Sequence, residues 1–242
     1  MSEPLLRIDG VCKRFGGFAA LTDVSLEVAQ GERFGLIGPN GSGKTTLINC
    51  VSGALRNETG SIVFAGEVIS KLPAYQRTRR GIARSFQLPR PFSSMTVLEN
   101  LIVPLEFVVH RHSLHKADTR AEGMDILEKI GLADKAGALS NQLSQVELRK
   151  MELARAIAAK PKLLISDEAM AGLSAAEVDD ILPLLLHLKD EGVAVIMIEH
   201  IMRTVMKFCE RVAVLVAGRK IADGDPRAVA ADAEVIKAYL GE

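Results

Sequence analysis

The 242-residue chain contains no tryptophan, and aromatic residues make up only 4 % of it. Its core must therefore be filled by aliphatic side chains, which suits an α/β protein. Cysteine is scarce: Cys12, Cys50 and Cys209 are odd in number, far apart and form no C-x-x-C pair. That excludes a disulfide framework, and the three read as small buried hydrophobes in a reducing compartment. Net charge is absent, because 30 basic residues balance 30 acidic ones, so bulk charge argues for neither a nucleic-acid nor an anionic-lipid partner. Apolar runs such as Val193–Ile198 fall far short of a bilayer span, and the N-terminus lacks a basic-then-apolar leader pattern. The expectation is a soluble, cytoplasmic chain, long enough to bury a core without a metal or disulfide staple.

What is present is an alternation of strand-like and helix-like segments. Leu5–Asp9, Val24–Val28 and Arg33–Ile37 read as strands, the last running straight into a glycine-rich loop. Thr45–Val51 should be helical, and Ser61–Ile69 reads as a hairpin. Between Leu88 and Ala159 the pattern becomes helical, broken by Pro89, Pro91 and Pro104 and by a polar stretch near His110–Arg120. Pro161–Glu168 returns to an apolar strand ending in acids. A helix over about 175–191, a strand over 193–199, a helix over 201–209 and a hairpin at 212–222 follow. Asp225-Pro226 then provides an N-cap and first helical residue for the tail. The reading is one α/β domain over 1–242, with its core at about 1–87 and 160–242 and a helical insert at about 88–159.

The loop after the third strand is Gly38-Pro-Asn-Gly-Ser-Gly-Lys-Thr45, which matches G-x-x-x-x-G-K-[ST] in its required strand–loop–helix setting. The chemistry dictates these residue types. Gly41 and Gly43 let the backbone curl so that successive N–H groups converge on phosphate oxygens. The helix that begins near Lys44 adds its positive dipole end. Lys44 should reach the β- and γ-phosphates, and the Thr45 hydroxyl should ligate Mg²⁺. The candidate nucleotide cradle is thus Gly38, Pro39, Asn40, Gly41, Ser42, Gly43, Lys44, Thr45 and Thr46.

A second acid site is needed, and Leu163-Leu-Ile-Ser-Asp167-Glu168 supplies one at a strand's C-terminal end, where open α/β sheets place ligands. Asp167 can hold Mg²⁺ through water, and Glu168 can orient or deprotonate the attacking water.

Taken with these motifs, the chain resembles the ATPase subunit of an ABC transporter over essentially its whole length. Phe15, in Lys13-Arg-Phe-Gly-Gly, is similar to the aromatic that stacks on adenine. Gln87, in Ala83-Arg-Ser-Phe-Gln, resembles the glutamine that joins the Mg²⁺ shell and links core to insert. Gly172-Leu173-Ser174 resembles the loop at the dimer interface, and His200 the strand-end histidine that contacts the γ-phosphate. Each alone has a bland alternative: core for Phe15, an ordinary strand residue for Gln87, a boundary histidine for His200. Their order relative to Lys44 and Asp167 carries the resemblance.

Within the family the chain looks most like the branched-chain amino-acid uptake ATPases, through Lys13–Leu21, Ala83–Gln87, Met95–Leu101 and Val235–Glu242. The resemblance implies ATP and Mg²⁺ as cofactors, and a P-loop ABC-type core with an N-terminal antiparallel β subdomain and a helical insert. The implied partners are a second ATPase subunit, membrane permeases and, indirectly, a periplasmic solute-binding protein that selects the solute. The implied location is the cytoplasmic face of the inner membrane. The insert near Phe86–Leu101 should receive a permease helix, with Pro89, Pro91 and Phe92 shaping the groove or merely forming a boundary loop. Lipopolysaccharide-export ATPases are the nearest rival, and an ATP-dependent dimerising regulatory module is an alternative from another class.

The sequence departs from the family pattern at three places. Ala169 stands where proline usually follows the acid pair, which should loosen that turn, and Ser174 stands where aspartate is frequent. Leu143-Ser-Gln-Val-Glu147 stands where the pattern is Leu-Ser-Gly-Gly-Gln. The resemblance puts Ser144 against the ATP of the partner subunit, yet Gln145 and Val146 add side chains where bare backbone should approach phosphate. The resulting expectation is asymmetry between the two sites of a dimer. Ser144 and Glu147 also form an S-x-x-E capping box. The basic run Arg77–Arg84 reads as a solvated face, and the histidines 110, 112 and 115 as a solvated loop.

Overall fold

The structure, a computed structural model, describes residues 3–86, 89–111 and 118–240. Two sheets organise the core. The first is antiparallel, in the order β2-β1-β4-β5, from β1 (Leu6–Phe15), β2 (Phe18–Val28), β4 (Thr59–Phe64) and β5 (Glu67–Val68). The β1–β2 hairpin is longer than its sequence pattern predicts, because register shifts between Ile8 and Arg14 interrupt the alternation.

The second sheet has the order β10-β9-β3-β8-β7-β6. Its strands are β3 (Arg33–Ile37), β6 (Ile82–Ser85), β7 (Leu163–Asp167), β8 (Ala194–Ile198), β9 (Arg211–Val216) and β10 (Arg219–Gly224). All neighbours are parallel except β9 and β10. Strands β7 and β8 are buried along their full length, which explains their unbroken apolar sequences. Alternate residues serve opposite faces: Ile165 and Ile196 pack with Leu6, Phe34 and Phe64 between the sheets. Leu164, Val195 and Met197 pack on the other face with Leu185 and Phe208.

Helices complete the layers. The first, α1 (Lys44–Ser52), is followed by α2 (Ala74–Arg79). Between β6 and β7 lie α3 (Val97–Pro104), α4 (Thr119–Lys129) and α5 (Gln145–Ala158). These three surround an apolar cluster of their own, including Val97, Leu101, Leu127 and Met151. Pro104 removes a backbone donor, and the chain passes into a π-helical turn at Leu105–Val109. Beyond β7 come α6 (Ala175–Asp190), α7 (Met202–Phe208), α8 (Pro226–Ala230) and α9 (Ala233–Leu240), with Asp225 capping α8 as its sequence indicates. Among the described residues no helix is long and apolar enough to cross a membrane.

The basic run Arg77–Arg84 is only in part the solvated face its composition suggests: Arg79 is exposed, but Arg77 is not. Arg77 is 1 % exposed. Its guanidinium donates to the carbonyls of Cys50 (2.5 Å), Val51 (2.9 Å), Ser70 (3.1 Å) and Leu72 (2.8 Å). A cation thus closes the negative end of α1, whose opposite end follows directly on the glycine-rich loop. Gly53, at φ +84, leaves room for it, since a Cβ there would lie 2.9 Å from Arg77 Nε. Burial lowers the Arg77 pKa, and the carbonyl dipoles take the place of a carboxylate partner. His110 is also engaged, 2.8 Å from Glu122, while His112 and His115 lie outside the described residues.

Truncating Arg77 orphans several buried carbonyls, a loss on the order of 3 kcal/mol. R77A should therefore melt roughly 6–12 °C lower by calorimetry. The R80A variant removes only an exposed pair with Glu67 and should shift the melt by no more than a few degrees.

Candidate functional site

Because β3, β7 and β8 run parallel, their C-terminal ends deliver three chain segments to one rim. The glycine-rich loop follows β3, the acid pair ends β7, and His200 follows β8. The loop is wedged between carbonyls of neighbouring strands. A Cβ on Gly38, at φ +147, would lie 2.1 Å from the Leu215 oxygen, and one on Gly43, at φ +103, 2.7 Å from the Ala20 oxygen. Both positions exclude a side chain, so the backbone itself forms the cradle. Lys44 Nζ donates to the Gly38 carbonyl at 2.7 Å and the Pro39 carbonyl at 3.0 Å, which arches its side chain over the loop. Burial lowers the Lys44 pKa, opposed by the charges of Glu168 and Asp167. Ser42 is buried, whereas Asn40, Gly41 and Thr45 are exposed and available to a ligand.

A cleft of about 270 Å³ lies over this loop, lined by Phe15, Phe18, residues 40–46 and Glu168. Phe15 is 48 % exposed and therefore not a core residue. The structure adds Phe18, its direct cross-strand partner, which the sequence reading missed. The signal was present in Phe15-Gly-Gly-Phe18, a tight turn that sets two rings on one hairpin end. A phosphate cradle beside exposed aromatic rings fits a nucleotide, with phosphates on the backbone amides and a base against a ring.

Asp167 is buried (6 % exposed), its Oδ2 2.5 Å from Arg84 Nη2. Arg84 Nη1 also donates to Asn49 Oδ1 on α1 at 2.6 Å, so the guanidinium ties the acid to the phosphate-loop helix. Glu168 adopts φ +47, a left-handed conformation uncommon outside glycine. Its N–H donates to the Ile198 carbonyl on β8 at 3.0 Å. His200 is exposed two residues past Ile198, on the same rim but outside the lining of the cleft. Gln87 lies outside the described residues. Lys44, Thr45 and Glu168 line the one cleft, with Asp167 close enough to influence the charge of Lys44.

Ser144 is elsewhere, outside the cleft's lining and in the helical insert. It caps α5: its Oγ accepts from the Glu147 N–H at 3.3 Å, and a Glu147 carboxylate oxygen accepts from the Ser144 N–H at 2.8 Å. Lys135 pairs with the same carboxylate. The Lys135 and Ser144 bonds hold the Glu147 pKa down to about 2. Ser174 likewise caps α6 in a box with Glu177, which gives a structural role to a departure from the family pattern.

A second cavity, about 340 Å³, separates the core from the insert and is lined in part by Arg84, Phe86, Phe92, Phe107 and Arg155. The Arg155 guanidinium lies 4.7 Å from the Phe92 ring centre and that of Arg90 5.2 Å from Phe86. Phe92 thus shapes this groove, whereas Pro89 and Pro91 are not among its lining residues.

The ABC transporter family profile matches residues 21–171, spanning the phosphate loop and the acid pair. The chain belongs to the ABC transporter family. It is an ATPase of that family. A second profile, branched-chain amino acid ATP-binding cassette transporter, matches residues 219–242. The chain is 37 % identical to the "High-affinity branched-chain amino acid transport ATP-binding protein" of Pseudomonas aeruginosa, with all of both chains covered. It is also 37 % identical to the "Lipopolysaccharide export system ATP-binding protein" of Haemophilus influenzae, over 98 % of each. Among solved structures, an ABC transporter cassette in its ADP conformation superposes with a TM-score of 0.88 at 32 % identity, over the full length of both chains. A dimeric cassette bound to ADP and Pi gives 0.82 at 26 %, covering 92 % of this chain and 99 % of that one.

The Glu147 arrangement carries a signed pH dependence. Its folded-state pKa, about 2, lies below the ordinary value of 4.5, so its stabilising contribution is present above pH ~4.5 and is lost as pH falls toward ~2. E147Q should therefore melt below the wild type at neutral pH. The two melting curves should converge as the pH is lowered to about 2, followed by circular dichroism.

Proposed function

We propose that this ABC ATPase powers an importer of branched-chain or related amino acids. The observation that carries the reading is the match of its C-terminal residues, 219–242, to the branched-chain amino-acid cassette profile. In this reading a second ATPase subunit and two membrane permeases complete the machine, held at the cytoplasmic face of the inner membrane. A periplasmic binding protein selects the solute. The groove lined by Phe86, Phe92 and Phe107 offers an apolar seat with a cationic rim for a permease helix. The Haemophilus relative supports the second reading, lipopolysaccharide export.

In the proposed mechanism the backbone amides of residues 38–45 hold the nucleotide phosphates, Lys44 spreads positive charge over the terminal ones, and Phe15 faces the base. The Thr45 hydroxyl and the Asp167 carboxylate suit Mg²⁺, a hard cation that keeps waters and shares oxygens with phosphate. No cluster of three acid, histidine or cysteine ligands occurs among the described residues, and a cation held mainly by phosphate needs none. Mg²⁺, when bound, neutralises charge that develops on the phosphoryl oxygens. Glu168 orients the attacking water and accepts its proton, and His200 and Gln87 contribute polar contacts from the flanking segments. Closure of two subunits on ATP and their opening after hydrolysis bias the permeases between inward- and outward-facing states.

The Leu143–Glu147 segment makes the dimer asymmetric. In the dimer geometry that the family resemblance implies, α5 of one subunit points its N-terminus at the other subunit's ATP. Here the Ser144 and Glu147 amides are already satisfied within the capping box, and Gln145 and Val146 add bulk. The site built on this chain's own Lys44 and Glu168 therefore turns over, whereas the site completed by its Ser144 binds ATP and hydrolyses it slowly.

Two measurements test these statements. Reconstituted with permeases and binding protein in liposomes, the complex should couple ATP hydrolysis to leucine uptake. Stimulation by lipopolysaccharide with no amino-acid uptake would favour the second reading. Hydrolysis that responds to neither cargo would point to a regulatory module. In the purified pair, K44A or E168Q in this chain should remove most turnover, while the equivalent changes in the partner leave most of it. The reverse pattern would defeat the asymmetry.

A further inference from the structure

Glu199 is a carboxylate that the hydrolytic mechanism leaves without a task. It sits at the end of β8, between Ile198 and His200, and is 1 % exposed. One of its oxygens, Oε1, accepts the Met170 N–H at 3.0 Å. The other, Oε2, accepts no hydrogen bond among the described residues. Burial raises its pKa, with the Met170 amide and His200 opposing. An acid buried this deeply is costly, so what it holds matters.

What it holds is the backbone just after Glu168. Met170 is fully buried in the apolar layer beneath the sheet. The Ala171 N–H returns to the Glu168 carbonyl at 3.1 Å, closing the turn. The Ala171 carbonyl in turn accepts from Arg149 Nη2 at 3.3 Å. Arg149 is itself buried, on α5 of the helical insert. The Glu199 and Glu152 charges counter the effect of burial on Arg149. The segment 169–171 is thus gripped from the core strand β8 on one side and from the insert helix α5 on the other.

This grip bears on a strained residue. Glu168 holds φ +47, a conformation that costs a non-glycine residue free energy and persists only where surroundings over-determine it. Ala169 does not restrict the chain there as a proline would. The Ile198 carbonyl fixes the Glu168 amide, and the next anchor along the chain is the Met170 amide on Glu199.

We infer that Glu199 is a positioning residue for ATP hydrolysis. Its carboxylate, with the Arg149 guanidinium, clamps the 169–171 backbone and so holds Glu168 in the turn that presents it to the phosphate loop. The inference rests on Glu168 being the residue that orients the attacking water.

The test is steady-state ATPase kinetics on the complex of this chain with its ATPase partner and permeases. E199L removes the acceptor at similar volume and should lower kcat at least tenfold while leaving KM for ATP within twofold, because the phosphate loop is untouched. E199Q keeps an amide oxygen for Met170 and should retain half of kcat or more. If E199L does not fold, E199S, too short to reach the Met170 amide, is measured in its place with the same expectation. An E199L kcat within twofold of wild type overturns the clamp, as do equal losses in E199L and E199Q or a KM that rises in step. E168Q is run alongside. Full turnover in E168Q overturns the underlying reading and the clamp together, whereas lost turnover in E168Q with full turnover in E199L overturns the clamp alone.

Discussion

A phosphate-binding loop works through its backbone, and a backbone has no rotamers with which to correct a misplaced ligand. The proposed cradle, residues 38–45, therefore has to be held still by everything around it. The contacts are unforgiving: the Leu215 and Ala20 carbonyls leave no volume for a Cβ at Gly38 or Gly43. Those carbonyls belong to β9 and β2, one from each sheet. The packing of the two sheets against each other thereby fixes the cradle.

Two cations extend this constraint. Arg77 closes the far end of α1 with carbonyl contacts alone. Arg84 joins the same helix, through Asn49, to Asp167 at the end of β7. It also lines the groove between core and insert. One helix thus carries the phosphate loop at its start, a guanidinium at its end and a second guanidinium on its flank. Arg77 is buried and Arg84 partly so, and each is tolerable because its partners are fixed dipoles or a buried acid.

The parts that were legible in the sequence are those whose chemistry requires particular residue types in a local pattern. The phosphate loop, the apolar strand ending in Asp167 and Glu168, and the caps at Ser144 and Asp225 all depend on neighbours within a few positions. Local pattern failed where distant partners decide. Arg77 and Arg84 look like part of any exposed basic stretch, because nothing nearby announces that Cys50 and Val51 will enclose the one and Asp167 pair with the other. Ser174 reads as a loss measured against the family pattern, yet it caps α6 through Glu177. Phe18 was overlooked because its role depends on facing Phe15 across a hairpin.

By itself, the sequence determined a nucleotide-phosphate site on an α/β core, since a glycine-rich loop between strand and helix, followed by an acid-ended apolar strand, meets the requirements of nucleotide phosphates; the ABC-type class came from the resemblance that the order of its motifs carries. It also determined that α5 begins with a closed capping box, because Ser144 and Glu147 are three positions apart. Only the tertiary structure decided which charges are buried and what they hold. Arg77 on α1, Arg84 on Asp167 and Glu199 on the turn after Glu168 join residues separated by 26 or more positions in the chain. Local periodicity carries no information about such pairs, because burial is a property of the assembled layers.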